Sequence, residues 1–173
     1  MRPADEADFE AFYASVWPRL FRLTYAISGD IGRAEDAVQS AMAKAFASWS
    51  RVRRADHPEA YVRRMAVNEA LSVRRRAWWK AERVGHVPDV GVIGSEEQDV
   101  VDRAELWEAL LRLPPRQRAV LVLRFYGDLS ERRIAEVLGC SQGTVKSQAS
   151  DALATLRRRY QAAADLVLGR DPS

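Results

Sequence analysis

The residues best suited to chemistry stand close together near the C-terminal end. Gln142, Thr144, Lys146, Ser147, Gln148 and Ser150 bring amide, hydroxyl and ammonium groups into one short stretch. Groups of this kind read base edges in a DNA groove or hold phosphate oxygens. The residues before them supply the element that must position them. Ser130 is suited to cap one helix, with Leu129 and Ile134 as an apolar staple across the cap. Gly139 stands where that helix must end in a left-handed residue. Ser141 is suited to cap a second helix, with Cys140 and Val145 as its staple, and Ala135 is small where the two helices must cross closely. Two short helices in this register predict a helix-turn-helix, whose second helix enters the major groove. A plain packing hairpin would need the two helices but not the small residue, turn glycine and second cap in step. Cys140 at the turn is expected to be a small buried apolar residue.

A second concentration of charge lies upstream. Arg51, Arg53, Arg54, Arg63, Arg64, Arg74, Arg75, Arg76, Lys80 and Arg83 share one stretch, while acids gather around 96–102. The formal net charge of +3 is small, so this uneven placement is what suggests a polyanionic partner. A solvated helix face accounts equally well for such a run by itself. The sequence gives no sign of catalysis: clustered carboxylates, metal-ligand spacing, a glycine-rich phosphate loop and a nucleophile–base pair are all missing. His57 and His86 are isolated and Cys140 is the single cysteine, so neither a metal, a cofactor nor an internal disulfide is expected. No run of eighteen apolar residues occurs and residues 1–9 lack an apolar signal core, which predicts a cytoplasmic protein without a membrane partner.

The elements that must carry these groups are helical throughout. Phe9, Phe12, Tyr13, Val16, Leu20, Thr24 and Ile27 form one apolar stripe, and Ala34, Val38, Ala41, Met42, Ala45 and Trp49 a second, separated by Gly29 and Asp30. A third helix is predicted from Pro58 through Leu71 toward Trp78 and Trp79. Gly85, Pro88, Gly91 and Gly94 break the pattern, which resumes at Val100. Pro114 and Pro115 end that helix and open one carrying Val120, Leu121, Leu123, Phe125 and Tyr126. The expected fold is all-α, with two small helical domains joined by a flexible linker. The expected limits are 1–83, a linker at 84–99, 100–165, and a tail at 166–173.

The wording of these segments resembles one family. Leu113-Pro114-Pro115-Arg116-Gln117-Arg118-Ala119-Val120-Leu121, Phe125-Tyr126-Gly127-Asp128-Leu129-Ser130 and Gly143-Thr144-Val145-Lys146-Ser147 resemble region 4 of extracytoplasmic-function sigma factors, the actinobacterial sigma-E-like group among them. Leu20-Phe21-Arg22-Leu23-Thr24-Tyr25, Gly29-Asp30 and Ala34-Glu35-Asp36-Ala37-Val38-Gln39 are similar to regions 2.1 and 2.2. Tyr61-Val62-Arg63-Arg64-Met65-Ala66-Val67-Asn68-Glu69 with Arg74-Arg75-Arg76 is similar to regions 2.3 and 2.4.

The resemblance implies a subunit that binds core RNA polymerase and promoter DNA. Asp36 and Gln39, three apart on an outward helix face, would meet the clamp helices of the polymerase. Arg63, Arg64, Arg75 and Arg76 would follow the −10 DNA backbone and Asn68 would bond the edge of a flipped base, with the loop at 50–57 as one wall. Gln142, Thr144, Lys146, Ser147 and Ser150 would meet the −35 element. Trp78 and Trp79 are expected to pack at the domain end rather than stack on bases. Many relatives are restrained by an anti-sigma factor, a further possible partner. The chain departs from the family at Ser40, where Glu is frequent, and at Gln148 and Asp151, where Arg is common. The competing reading is a stand-alone helix-turn-helix regulator with a helical partner-binding domain.

Overall fold

The computed structural model describes residues 3–72 and 97–167. All regular structure among the described residues is helical, and the chain divides into two compact units, Met1–Pro88 with Glu136–Gly139, and Asp89–Ala135 with Cys140–Ser173. Arg75, Arg76, Trp78, Trp79 and the interrupted segment at 84–96 lie outside the described residues.

The first unit contains α1 (Pro3–Ser28), α2 (Ile31–Ala47), the short α3 (Trp49–Val52) and α4 (Pro58–Leu71). The three long helices pack on one another, as their apolar stripes require. Val16, Leu20, Val38, Ala41, Met42, Ala45, Val62 and Ala66 fill the centre, and Trp49 and Val52 close one end from α3. Residues 49–52, expected at a helix end and in a loop, therefore form a helical turn of their own, because both of its apolar side chains are buried. The helix α4 ends at Leu71, where Ser72 is extended; the expected run from there toward Trp78 lies outside the described residues.

Local chemistry sets the α1–α2 corner. Gly29 takes a φ of 70° and its N–H reaches the Tyr25 carbonyl at 2.8 Å. Asp30 then caps α2, its Oδ1 accepting from the Arg33 N–H at 2.7 Å. Thr24 is wholly buried, and its hydroxyl donates to the Leu20 carbonyl at 2.8 Å. Burial, and then the nearby Asp30 carboxylate, push the Tyr25 phenol above its ordinary value, so it remains a neutral phenol. Pro18 lies inside α1 and removes one backbone donor, yet the helix continues because Val16 and Leu20 on its inner side are buried. Down α1 the residues Phe9, Tyr13, Trp17, Phe21 and Tyr25 follow a four-residue spacing, with successive ring centroids 5.4–6.3 Å apart. Phe9 also meets Trp49 edge-on at 5.2 Å, tying this ladder to α3.

The second unit contains α5 (Glu97–Leu111), α6 (Pro115–Leu121), a π turn (Val122–Tyr126), the first part of α7 (Glu131–Leu138), through Ala135, and α8 (Gln142–Val167). The first of these begins three residues before Val100, where the apolar pattern resumes. α6 packs on α8. Trp107, Leu113, Ala119, Val120, Leu121, Leu123, Ile134, Val145, Ala149, Ala152 and Leu156 are buried. The wider π turn carries one residue more than an α turn would. The Gly127 N–H bonds to the Val122 carbonyl at 2.9 Å, and a Cβ at Gly127 would sit 2.8 Å from the Leu123 carbonyl oxygen. The widened turn rotates Phe125 and Tyr126 off the inward stripe expected for them, leaving Phe125 67% exposed.

Arg118 is the one arginine buried among the described residues. Its Nη1 donates to the Leu111 carbonyl at 2.9 Å, satisfying a backbone acceptor at the end of α5. Arg118→Met keeps most of the stem volume and removes this donor. It should destabilise the second unit by about 1–3 kcal/mol, read by urea unfolding of that unit. Unchanged stability would show that the bond makes no net contribution.

Candidate nucleic-acid interface

On α2, burial of Ala34, Val38, Ala41, Met42 and Ala45 leaves one polar side. Asp36 and Gln39 are both exposed there, less than one turn apart. The same outer side continues through Ala43 to Phe46, which is 44% exposed and touches the Phe9 ring at 5.0 Å. The face is thus acidic and amide-bearing at one end and apolar at the other. Phe46 fell between the residues of the inward stripe, and its exposure marks the outer face only once the helix is packed.

α4 presents a different surface. Arg64 and Asn68 are exposed and one turn apart, and Tyr61, 37% exposed, extends the same side. Arg63 is half-buried. The Asn68 Nδ2 donates to the Arg64 carbonyl at 2.8 Å, so part of its amide is engaged with the helix backbone. Tyr61 lies within the quoted motif but had been given no role; its place on the Arg64–Asn68 side comes from the packing of Val62 and Ala66 inward. The preceding segment is drawn against α1 by Arg53, whose Nη1 lies 2.8 Å from Asp5 Oδ1 and 4.0 Å from Asp8 Oδ2. One of the clustered arginines is thereby neutralised locally.

The helix-turn-helix forms as its residue types require. The Ser130 hydroxyl accepts from the Arg133 N–H at 3.3 Å, and Gly139 takes a φ of 64°. Ser141 caps α8, accepting from the Thr144 N–H at 3.1 Å, and its hydroxyl also pairs with that of Thr144 at 2.9 Å. Ile134 and Val145 are both fully buried, and Ala135 is buried as well. Cys140 is half-buried rather than buried, because it lies in the turn itself.

Because Val145, Ala149, Ala152 and Leu156 face inward, Gly143, Ser147 and Ser150 occupy the opposite side of α8. Lys146 and Thr144 flank them. Gln142, Thr144, Lys146, Ser147 and Ser150 are all exposed, so the unit brings the five sequence-predicted residues to one helix surface. The Ser147 hydroxyl donates to the Thr144 carbonyl at 3.1 Å and is left with acceptor capacity. The Lys146 Nζ lies 3.7 Å from Glu131 Oε2, and the other oxygen of that carboxylate lies 3.5 Å from Arg124 Nη1. Glu131 had been read only as part of the first helix, since nothing in its spacing relates it to Lys146.

Among the described residues, no group of acids, histidines or cysteines is arranged to hold a metal ion. Nor is any helix there long and apolar enough to cross a membrane. The exposed chemistry consists of helix-borne amides, hydroxyls and cations beside one acidic face.

Comparison with known proteins gives these surfaces a family. Residues 12–80 match the pattern described as Sigma-70 region 2, and residues 103–156 match Sigma-70, region 4. The chain is 34% identical over 166 residues to RNA polymerase sigma-E factor of Streptomyces antibioticus, covering 93% of this chain and 89% of that protein. It is 35% identical over 140 residues to ECF RNA polymerase sigma factor SigM of Mycobacterium tuberculosis, covering 81% and 69%. In fold it is similar to the sigma factor RpoE of Bartonella quintana, solved with the anti-sigma factor NepR. The TM-score is 0.69 at 24% identity, over 89% of this chain and 97% of that one. A stand-alone helix-turn-helix regulator does not account for the region 2 match. The chain belongs to the sigma-70 family of RNA polymerase sigma factors, in its extracytoplasmic-function type, and so binds core RNA polymerase and directs promoter-specific transcription initiation.

Proposed function

We propose a division of labour among three exposed helix faces. Asp36 and Gln39 on α2 bind core polymerase; Arg63, Arg64 and Asn68 on α4, with Arg75 and Arg76, act on the melted −10 element. Gln142, Thr144, Lys146, Ser147 and Ser150 on α8 read the −35 element. The observation that carries this reading is the capped start of α8, exposed from Gln142 to Thr144 and again at Lys146 and Ser147 while Val145 is fully buried. A helix held by one buried apolar edge and bearing hydrogen-bonding groups on the other suits a major groove. Its amide end also favours a nearby phosphate. Residues 1–83 and 100–165 act as the two functional domains, with 84–99 as linker. The chain works in the cytoplasm as a specificity subunit and catalyses no reaction by itself. An anti-sigma factor is a further partner, in keeping with the complex of the fold relative RpoE with NepR.

The α2 face is tested by Asp36→Arg, which sets a cation against a basic partner surface. The variant should fold normally and compete for core polymerase at least about tenfold more weakly than the unaltered chain. Normal competition by a folded variant removes Asp36 from the interface.

On α4, Asn68→Ala should slow open-complex formation on duplex promoters, followed by permanganate footprinting. The loss should be smaller on templates already unpaired at −10, where the cost of extruding a base is absent. Equal losses on both templates would assign Asn68 a general binding or structural role.

For α8, holoenzyme carrying Lys146→Ala should bind promoter DNA more weakly by about 1–3 kcal/mol if Lys146 reads a guanine. A pure phosphate contact would instead give a similar loss on every −35 variant and a salt slope lower by about one unit. Gln148 and Asp151 add no positive charge, so the contribution of Lys146 should be large for a single residue. Binding that changes in neither affinity, slope nor sequence preference would return the two helices to a packing role.

A further inference from the structure

Glu131 occupies the first position of α7, where a carboxylate is favoured by the helix dipole. From there it reaches two other elements, lying 3.5 Å from Arg124 Nη1 in the π turn and 3.7 Å from Lys146 Nζ on α8. Its side chain is 28% exposed, against 40% for Arg124 and 67% for Lys146. The carboxylate is thus the most enclosed member of a three-residue bridge whose cations lie nearer solvent. Arg124 also has its guanidinium over the Phe125 ring, 5.7 Å from the ring centre.

A lysine ammonium has three donors, and the carboxylate engages one side of it. The remaining N–H groups stay available to the O6 and N7 acceptors of a guanine. A phosphate is a different case. It attracts a cation from any direction and on any sequence, and its binding strength follows the net charge brought to it. Arg124, Glu131 and Lys146 together carry one net positive charge, where the two cations alone would carry two. Glu131 therefore weakens sequence-independent attraction to duplex DNA while leaving Lys146 a hydrogen-bond donor in a defined place.

We propose that Glu131 is a specificity-determining residue for −35 recognition: it holds Lys146 back from arbitrary phosphates and presents it to base edges. This rests on the reading of α8 as the −35 helix. On a matched −35 element Lys146 is already engaged with a base, so removing the carboxylate changes binding little. On an unmatched duplex a released Lys146 swings to phosphate and strengthens binding. Loss of Glu131 thus narrows the gap between matched and unmatched DNA.

The test uses holoenzyme with the unaltered chain, Glu131→Gln, Lys146→Ala and the double variant. The probes are a duplex selected by unaltered holoenzyme from a library randomised over −35, and a duplex with that element scrambled. Glu131→Gln should bind the scrambled duplex several-fold more tightly, with a salt slope steeper by about one unit. The selected duplex should gain less, so the ratio of the two affinities falls. In the Lys146→Ala background, Glu131→Gln should produce a smaller gain, from Arg124 alone. Unchanged binding of both duplexes by Glu131→Gln, while Lys146→Ala weakens the selected one, overturns the role of Glu131 and leaves α8 as the reader. No effect from Lys146→Ala on either duplex overturns both.

Discussion

Burial of one apolar edge per helix is the constraint from which every functional surface here follows. On α2, Ala34, Val38, Ala41 and Ala45 are almost wholly inaccessible, which leaves Asp36 and Gln39 no direction but outward. On α8, Val145, Ala149, Ala152 and Leu156 do the same for Lys146, Ser147 and Ser150. Helical periodicity converts an inward stripe into an outward one, so the packing energy of the core also orients the polar groups. The small side chains matter in this. Alanine at four inward positions of α2 lets its neighbours approach closely, and the outer face is held against a rigid support.

Many of the polar groups on these faces already have partners within the chain. Thr144 shares its hydroxyl with the Ser141 cap, Ser147 donates to the Thr144 carbonyl, and Asn68 donates to the Arg64 carbonyl. Such bonds limit side-chain rotation and so reduce the ordering cost of any binding at these faces. They also set a threshold. A group that competes for one of these donors must replace an existing bond, and the net gain is the difference between the two. The shared carboxylate of Glu131 is the charged form of the same arrangement.

Charge is placed unevenly for a physical reason. A net charge of +3 is modest for a chain that meets DNA. On the proposed division of faces, the same small protein presents anions to one partner and cations to another. Several cations are therefore committed internally: Arg53 to Asp5, Arg19 to Glu59, Lys44 to Glu69, and Arg118 to a buried carbonyl. The three ion pairs among these are individually weak at the surface. Together they confine the remaining positive charge to chosen places.

Much of this architecture was legible in the residue order. Apolar spacing marked α1, α2 and the start of α4, while Ser130, Gly139 and Ser141 marked the helix-turn-helix, because caps and left-handed turns depend on residues a few positions apart. The same locality made the exposed polar face at the start of α8 readable. Other features had no local signature. The π turn, with its exposed Phe125, depends on how Gly127 meets the Leu123 carbonyl. The turn at Trp49–Val52 exists because two side chains find a core built by other helices. Arg118 reads as one more surface cation until the end of α5 is seen to need its donor. Glu131 meets Lys146 across two different helices, fifteen positions apart in the chain. The sequence by itself determined where helices begin, end and turn, since those are short-range matters of backbone sterics and capping. Tertiary structure decided which charges neutralise one another and which stay free for DNA, since that depends on distances across helices that the chain order does not encode.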